Sequence, residues 1–95
     1  MQSALSDCNQ ALKIKAEAPD VLDTRGFVYL KLGQNDNAIK DFDAALKLDP
    51  KLAGALYGRG LAKQRKGDKS GGTDIAAARA IKANIAEEFA RFGLR

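Results

Sequence analysis

Apolar side chains recur along this chain at three- and four-residue steps, the spacing that places them on one face of an α-helix. The first stripe is Leu5, Cys8, Ala11 and Leu12. A second runs through Leu22, Arg25, Gly26, Tyr29 and Leu30. Gly33 stops it, because glycine tolerates the left-handed backbone just past a helix end. A third stripe, Ala38, Phe42, Ala45 and Leu46, opens at Asn35 and Asp36, residue types suited to capping. It closes at Asp49-Pro50, since proline disfavours helical geometry in the residue before it. The pattern then returns as Leu56 and Gly60 up to Gly67, followed by Ile75, Ala78 and Ile81. Asn84 with Glu87 has the spacing of a capping box and predicts a short last helix that ends at Gly93. The two-residue alternation of a strand competes nowhere. The predicted class is all-α.

The stripes are copies of one unit. A shift of 34 residues superimposes Ala4, Asp7, Ala11, Leu12 and Lys13 on Ala38, Asp41, Ala45, Leu46 and Lys47. The same shift carries Leu22, Arg25, Gly26 and Gly33 onto Leu56, Arg59, Gly60 and Gly67. Asp41, Phe42 and Ala45 meet Asp74, Ile75 and Ala78 at a shift of 33, so the turn before that last repeat helix is one residue shorter. An ordered set of matches at one offset marks a repeat architecture, in which each helix pair buries its apolar face on its neighbour. Gly26, Gly60, Ala38 and Ala45 are small where paired helices approach to about 8–10 Å. Tyr29 and Phe42 fill the space they leave. The recurrence of Asp7, Asp41 and Asp74 predicts a structural carboxylate, paired with Arg25 or Arg59.

Leu22, Arg25-Gly26, Tyr29, Ala38, Phe42, Ala45 and Pro50 closely resemble the tetratricopeptide repeat, whose pattern fills 34 residues. Leu56, Arg59-Gly60, Gly67, Ile75 and Ala78 look like a second copy, with Lys63 where the first has Tyr29. The resemblance implies a single domain over residues 1–95, a right-handed α-solenoid of antiparallel helix pairs. Residues 3–18 would be the second helix of a partial repeat, with Ala16 where a proline is expected. Residues 19–52 and 53–83 would be full repeats, and 84–93 a solvating capping helix with Glu87, Glu88, Arg91 and Arg95 on its outer face.

In proteins this sequence is similar to, the first helix of each repeat lines a concave groove that holds an extended peptide or a partner helix. That implies a groove formed by Asp23, Phe27, Leu30 and Lys31 with Tyr57, Leu61, Gln64 and Arg65, beside Asp20, Thr24, Gly54 and Gly58. Phe27, Tyr57 and Leu61 would form its apolar floor, between Asp23 on one side and Arg65 on the other. The competing expectation is that Phe27 and Tyr57 pack against neighbouring helices. Relatives that clamp an acidic C-terminus use several Lys, Arg and Asn side chains; Asp23 and Phe27 are the wrong residues for that clamp.

Composition narrows the chemistry. The 95 residues include no His and one Cys, which removes Ser-His, Cys-His and His-metal arrangements and an intrachain disulfide. Asp41 with Asp43 and Glu87 with Glu88 are too close in sequence on a helix to converge on one substrate. Gly67-Asp68-Lys69-Ser70-Gly71-Gly72 lacks the spacing and the preceding strand of a phosphate loop, and reads as a turn between helices. Cys8 stands in the slot of Phe42 and Ile75, a buried apolar role. No run reaches the roughly 18 apolar residues of a membrane span, and a cytoplasmic location is expected.

The net charge of +4 is uneven: residues 1–50 carry 6 basic and 8 acidic side chains, residues 51–95 carry 10 and 4. The expected function is a non-catalytic protein–protein interaction scaffold, without cofactor or metal, whose partner is a protein or peptide. Two other readings are nucleic-acid or acidic-partner binding through Arg59, Lys63, Arg65, Lys66 and Lys69, and homo-oligomerisation through the exposed N-terminal helix. The chain is also expected to be a piece of a longer array.

Overall fold

The computed structural model describes residues 2–14 and 18–94. They form six helices: α1 (Gln2–Ile14), α2 (Pro19–Lys31), α3 (Asn35–Leu48), α4 (Ala53–Arg65), α5 (Gly71–Ile81) and α6 (Ile85–Ala90). No strand occurs among the described residues. Residues 15–17, with Ala16 of the first unit, and Arg95 of the expected outer face lie outside them. Consecutive helices pack as antiparallel pairs, α2 on α3 and α4 on α5. Each pair stacks on the next through α3 and α4, and α2 also touches α4. This is a helical-repeat solenoid.

Phe42 explains why the stack closes so tightly. Its ring is fully buried. A methyl group built on Gly26 would stand 2.7 Å from that ring, and one built on Gly58 only 2.5 Å from it. The ring is wedged between α2 of its own repeat and α4 of the next, and neither helix has room for a side chain at the contact. At the next pair the backbones themselves meet: a Cβ on Gly71 would lie 2.4 Å from the Gly60 carbonyl oxygen. Ala38, Ala45, Ala55, Ala62 and Ala78 are fully buried where the other helices cross.

The repeat turns share one closure. Gly33 and Gly67 adopt φ of 78° and 81°. Past Gly33, the Gln34 amide donates to the Tyr29 carbonyl at 2.9 Å; past Gly67, Asp68 donates to Lys63 at 2.8 Å. These are the backbone bonds of a Schellman end, and a β-carbon at either glycine would strain them.

Helix starts differ from expectation. Asn35 lies inside α3 rather than capping it, and Gln34 precedes it, held by a 2.9 Å hydrogen bond from Asn37 Nδ2. The capping box at Asn84 does not form. Asn84 sits at φ −98°, ψ 17°, short of the extended backbone that lets a cap side chain reach the first amides. Its main-chain carbonyl accepts from Glu87 and Glu88 instead. Ile81, read as part of an apolar stripe, is 48% exposed. It ends α5, while the buried face of α6 turns toward α2 and α4.

Candidate functional site

Each full repeat is locked by an arginine fork. Arg25 on α2 donates from Nε and Nη2 to the two oxygens of Asp41 on α3, both at 2.7 Å, and from Nη1 to Asn9 of α1 at 2.9 Å. One repeat later Arg59 on α4 donates to both oxygens of Asp74 on α5 at 2.8 Å, and to Asp43 of α3 at 2.8 Å. Asn9 and Asp43 are themselves 34 residues apart, so each arginine ties three successive helices. The side-chain hydrogen bond from Asp41 raises the pKa of Arg25, against burial. Burial pushes the Asp74 carboxyl upward, but the Arg59 hydrogen bonds and the charges of Arg59 and Lys63 outweigh it, and its pKa falls below the usual range. Asp41 and Asp43 serve different arginines, as their divergence on one helix requires.

The concave side differs from the expected groove. Leu30, Tyr57 and Leu61 belong to the buried core, at 0%, 6% and 5% exposure, and offer a ligand nothing. α6 is the reason. Phe89 lays its ring over Tyr57 at 4.7 Å between centroids and meets Phe27 edge-on at 5.7 Å. Tyr57 therefore packs against a neighbouring helix, and the open floor moves outward. It consists of half-buried Phe27, the edge of Phe89, and Phe92, which is 54% exposed and meets Phe27 edge-on at 5.3 Å.

Two adjoining cavities lie on this floor. One of about 340 Å³ is lined by Phe27, Glu88, Phe89, Arg91 and Phe92. The other, about 180 Å³, is lined by Asp23, Thr24, Phe27, Gly54 and Phe89. Burial, and then the charge of Asp20, pushes the Asp23 carboxyl up to about 6. Lys31, Gln64 and Arg65 are exposed at the far end of α2 and α4. Arg65 is held there by a 3.1 Å bond from Nη1 to the Leu30 carbonyl. Phe89 and Phe92 were missed because their segment reads as a polar cap. The signal available was Ile85 and Phe89 at a four-residue step, with Phe92 and Leu94 beyond.

The basic stretch of the second half is largely engaged within the fold. Arg59 and Lys63 face Asp74, Lys66 pairs with Asp36, and Arg65 is bound as above. Residues 67–72 form the turn and the start of α5, where Asp68 accepts hydrogen bonds from the amide and hydroxyl of Ser70. Cys8 is 7% exposed, and burial raises its thiol pKa. Among the described residues no cluster of three potential metal ligands occurs, and no helix is long and apolar enough to cross a membrane.

Paired antiparallel helices, a 34-residue recurrence of the locking arginine and a shallow aromatic face define a helical-repeat scaffold. The chain is a member of the tetratricopeptide family: the sequence profile described as TPR repeat matches residues 26–67. It is 40% identical over 63 residues to sperm-associated antigen 1 of Rattus norvegicus, covering 66% of this chain and 7% of that protein. It is 36% identical over 58 residues to tetratricopeptide repeat protein 6 of Homo sapiens, covering 61% of this chain and 11% of that protein. The chain thus spans a small part of the length of these relatives. TPR repeats as a class mediate protein–protein interaction and typically act as non-catalytic scaffolds.

Proposed function

We infer that this chain is a non-catalytic binding module that takes an extended segment of a protein partner along its concave face. The observation that carries the reading is the aromatic floor of Phe27, Phe89 and Phe92, open to solvent through two adjoining cavities. A few exposed aromatic anchors in pockets supply most of the energy of peptide recognition. From the original groove residues, Asp23 and Phe27 border that floor, and Lys31, Gln64 and Arg65 form a polar rim further along. The floor does not offer the cluster of cations that an acidic C-terminus needs, so such peptides bind weakly or not at all. The soluble, cytoplasmic setting expected from composition suits this role.

The test is a displayed random-peptide selection followed by amide chemical-shift mapping of the recovered peptides. Shifts at Thr24, Phe27, Gly54, Phe89 and Phe92, lost in Phe27→Ala, support the reading. Recovered peptides whose shifts fall on α1 or on the turn at residues 67–70 refute it.

A further inference from the structure

Asp23 stands apart from the other sequestered carboxylates of this protein. Asp41 and Asp74 are each gripped by an arginine fork. Asp23 is half-buried too, yet among the described residues it accepts no hydrogen bond and forms no ion pair. It opens into the 180 Å³ cleft whose other walls are Thr24, Gly54 and the rings of Phe27 and Phe89. No cation lines that cleft. A carboxylate removed from water without a partner is costly. Its raised pKa of about 6 reports the same unmet demand, and the group is still ionised near neutral pH.

We propose that the Asp23 cleft receives a lysine side chain of the bound partner, its ammonium on the Asp23 carboxylate and its apolar stem along Phe27 and Phe89. This rests on the reading that the concave face takes a partner segment. The aromatic walls suit an aliphatic stem and attract a cation through their ring faces. Thr24 Oγ1 already donates to the Asp20 carbonyl at 2.9 Å, so what it offers a ligand is an acceptor oxygen beside the carboxylate. An ammonium carries three donors and no acceptor, which matches two acceptors set at an angle.

Gly54 selects lysine over arginine. A methyl group built on Gly54 would lie 3.4 and 3.7 Å from the two Asp23 oxygens and 3.9 Å from their carbon. Gly54 therefore stands at the oxygen end of the carboxylate, where the in-plane, two-toothed approach of a guanidinium would have to come. One oxygen remains reachable from the side, through the cleft.

The experiment titrates the isotope-labelled protein at pH 7.5 with a terminally blocked pentapeptide holding one lysine between leucines, and with its arginine, glutamine and glutamate counterparts. The lysine peptide is expected to shift the Thr24 and Gly54 amides and to bind about tenfold tighter than the glutamine peptide. Asp23→Asn is expected to abolish that preference while leaving the glutamine-peptide affinity and the dispersed spectrum unchanged. Equal affinity for lysine and glutamine, with shifts still on the concave face, overturns the lysine site and leaves the groove standing. Arginine or glutamate binding more tightly than lysine overturns it as well. No shift on this face with any of the four peptides overturns the groove and the lysine site together.

Discussion

Arg25 and Arg59 hold equivalent positions in successive repeats, yet their surroundings are balanced differently. Arg25 has one carboxylate, Asp41, one amide, Asn9, and the ring of Tyr29 at 5.8 Å from its guanidinium carbon. Arg59 has two carboxylates, Asp43 and Asp74, and the Tyr29 position is taken by Lys63, whose ammonium lies 3.4 Å from Asp74. Both sets are locally neutral. The first achieves this with one pair and an aromatic platform, the second with two of each sign. One backbone thus accepts either solution, provided the buried aspartate on the second helix of the pair keeps a cation. Redundancy is what separates the two: Asp74 has a reserve partner and Asp41 has none.

The largest test of the comparison lies in the slot next to these aspartates. Phe42→Ala empties a fully buried wedge and should cost about 3–5 kcal/mol in denaturant unfolding. Ile75→Ala, at the half-buried equivalent, should cost about 1–2 kcal/mol. Equal losses would mean the two pairs are packed alike.

Next come the arginines. Arg25→Ala strands Asp41, whose side chain is 7% exposed, and should cost about 2–3 kcal/mol. Arg59→Ala leaves Asp74 facing Lys63 and should cost about 1 kcal/mol. Adding Lys63→Ala to Arg59→Ala should bring the second repeat level with the first. A reversed order of the two single variants would show that the reserve partner does not act.

Smaller, and opposite in sign, is the effect of Asp23. Asp23→Asn should raise stability at pH 7 by about 1–2 kcal/mol, after allowance for the solvent the side chain still meets. The sign follows from linkage: a carboxyl held at about 6 in the fold binds its proton more tightly there than in the unfolded chain. Acidification from about pH 7 to about pH 4 therefore favours the fold through Asp23. Asp74, lowered in the fold, does the reverse; its contribution is present above the ordinary carboxylate range and is lost as pH falls through its folded value. Melting temperatures across pH should rise and then fall in the parent protein, and only fall in Asp23→Asn. The smallest effect is that of Phe92→Ala, within about 0.5 kcal/mol on stability, yet with a clear loss of peptide affinity at the floor.

Much of the fold was legible because the repeat writes the same contacts twice. Asp41, Asp74, Gly26, Gly60, Phe42 and the two turn glycines each recur at a fixed offset, and recurrence reveals function in the fold without any structure. The arginine–aspartate pairing could be anticipated for that reason. The concave face is different, because its outcome depends on a segment that occurs once. Nothing in Ile85, Phe89 or Phe92 taken locally says which way a six-residue helix will fold back. Its return over Tyr57 buries a residue that the repeat pattern alone leaves open. Asp23 also has no copy, since its equivalent position is Tyr57, and its isolation emerges only when Gly54 and Phe89 close around it. The caps failed for a local reason: Asn84 has nearly helical backbone angles, so its side chain points away from the amides it would serve.

The wedge at Phe42 reaches beyond packing. One ring is clasped by Gly26 of its own repeat and Gly58 of the following one, so neither repeat can loosen without surrendering the same contact. In the language of linear arrays, the coupling between neighbours rivals the stability of each unit, and partly unwound chains become scarce. Melting should then be all-or-none, with calorimetric and van't Hoff enthalpies in agreement, despite a modular sequence. A chain assembled from near-copies behaves, through one shared aromatic, as a single thermodynamic body.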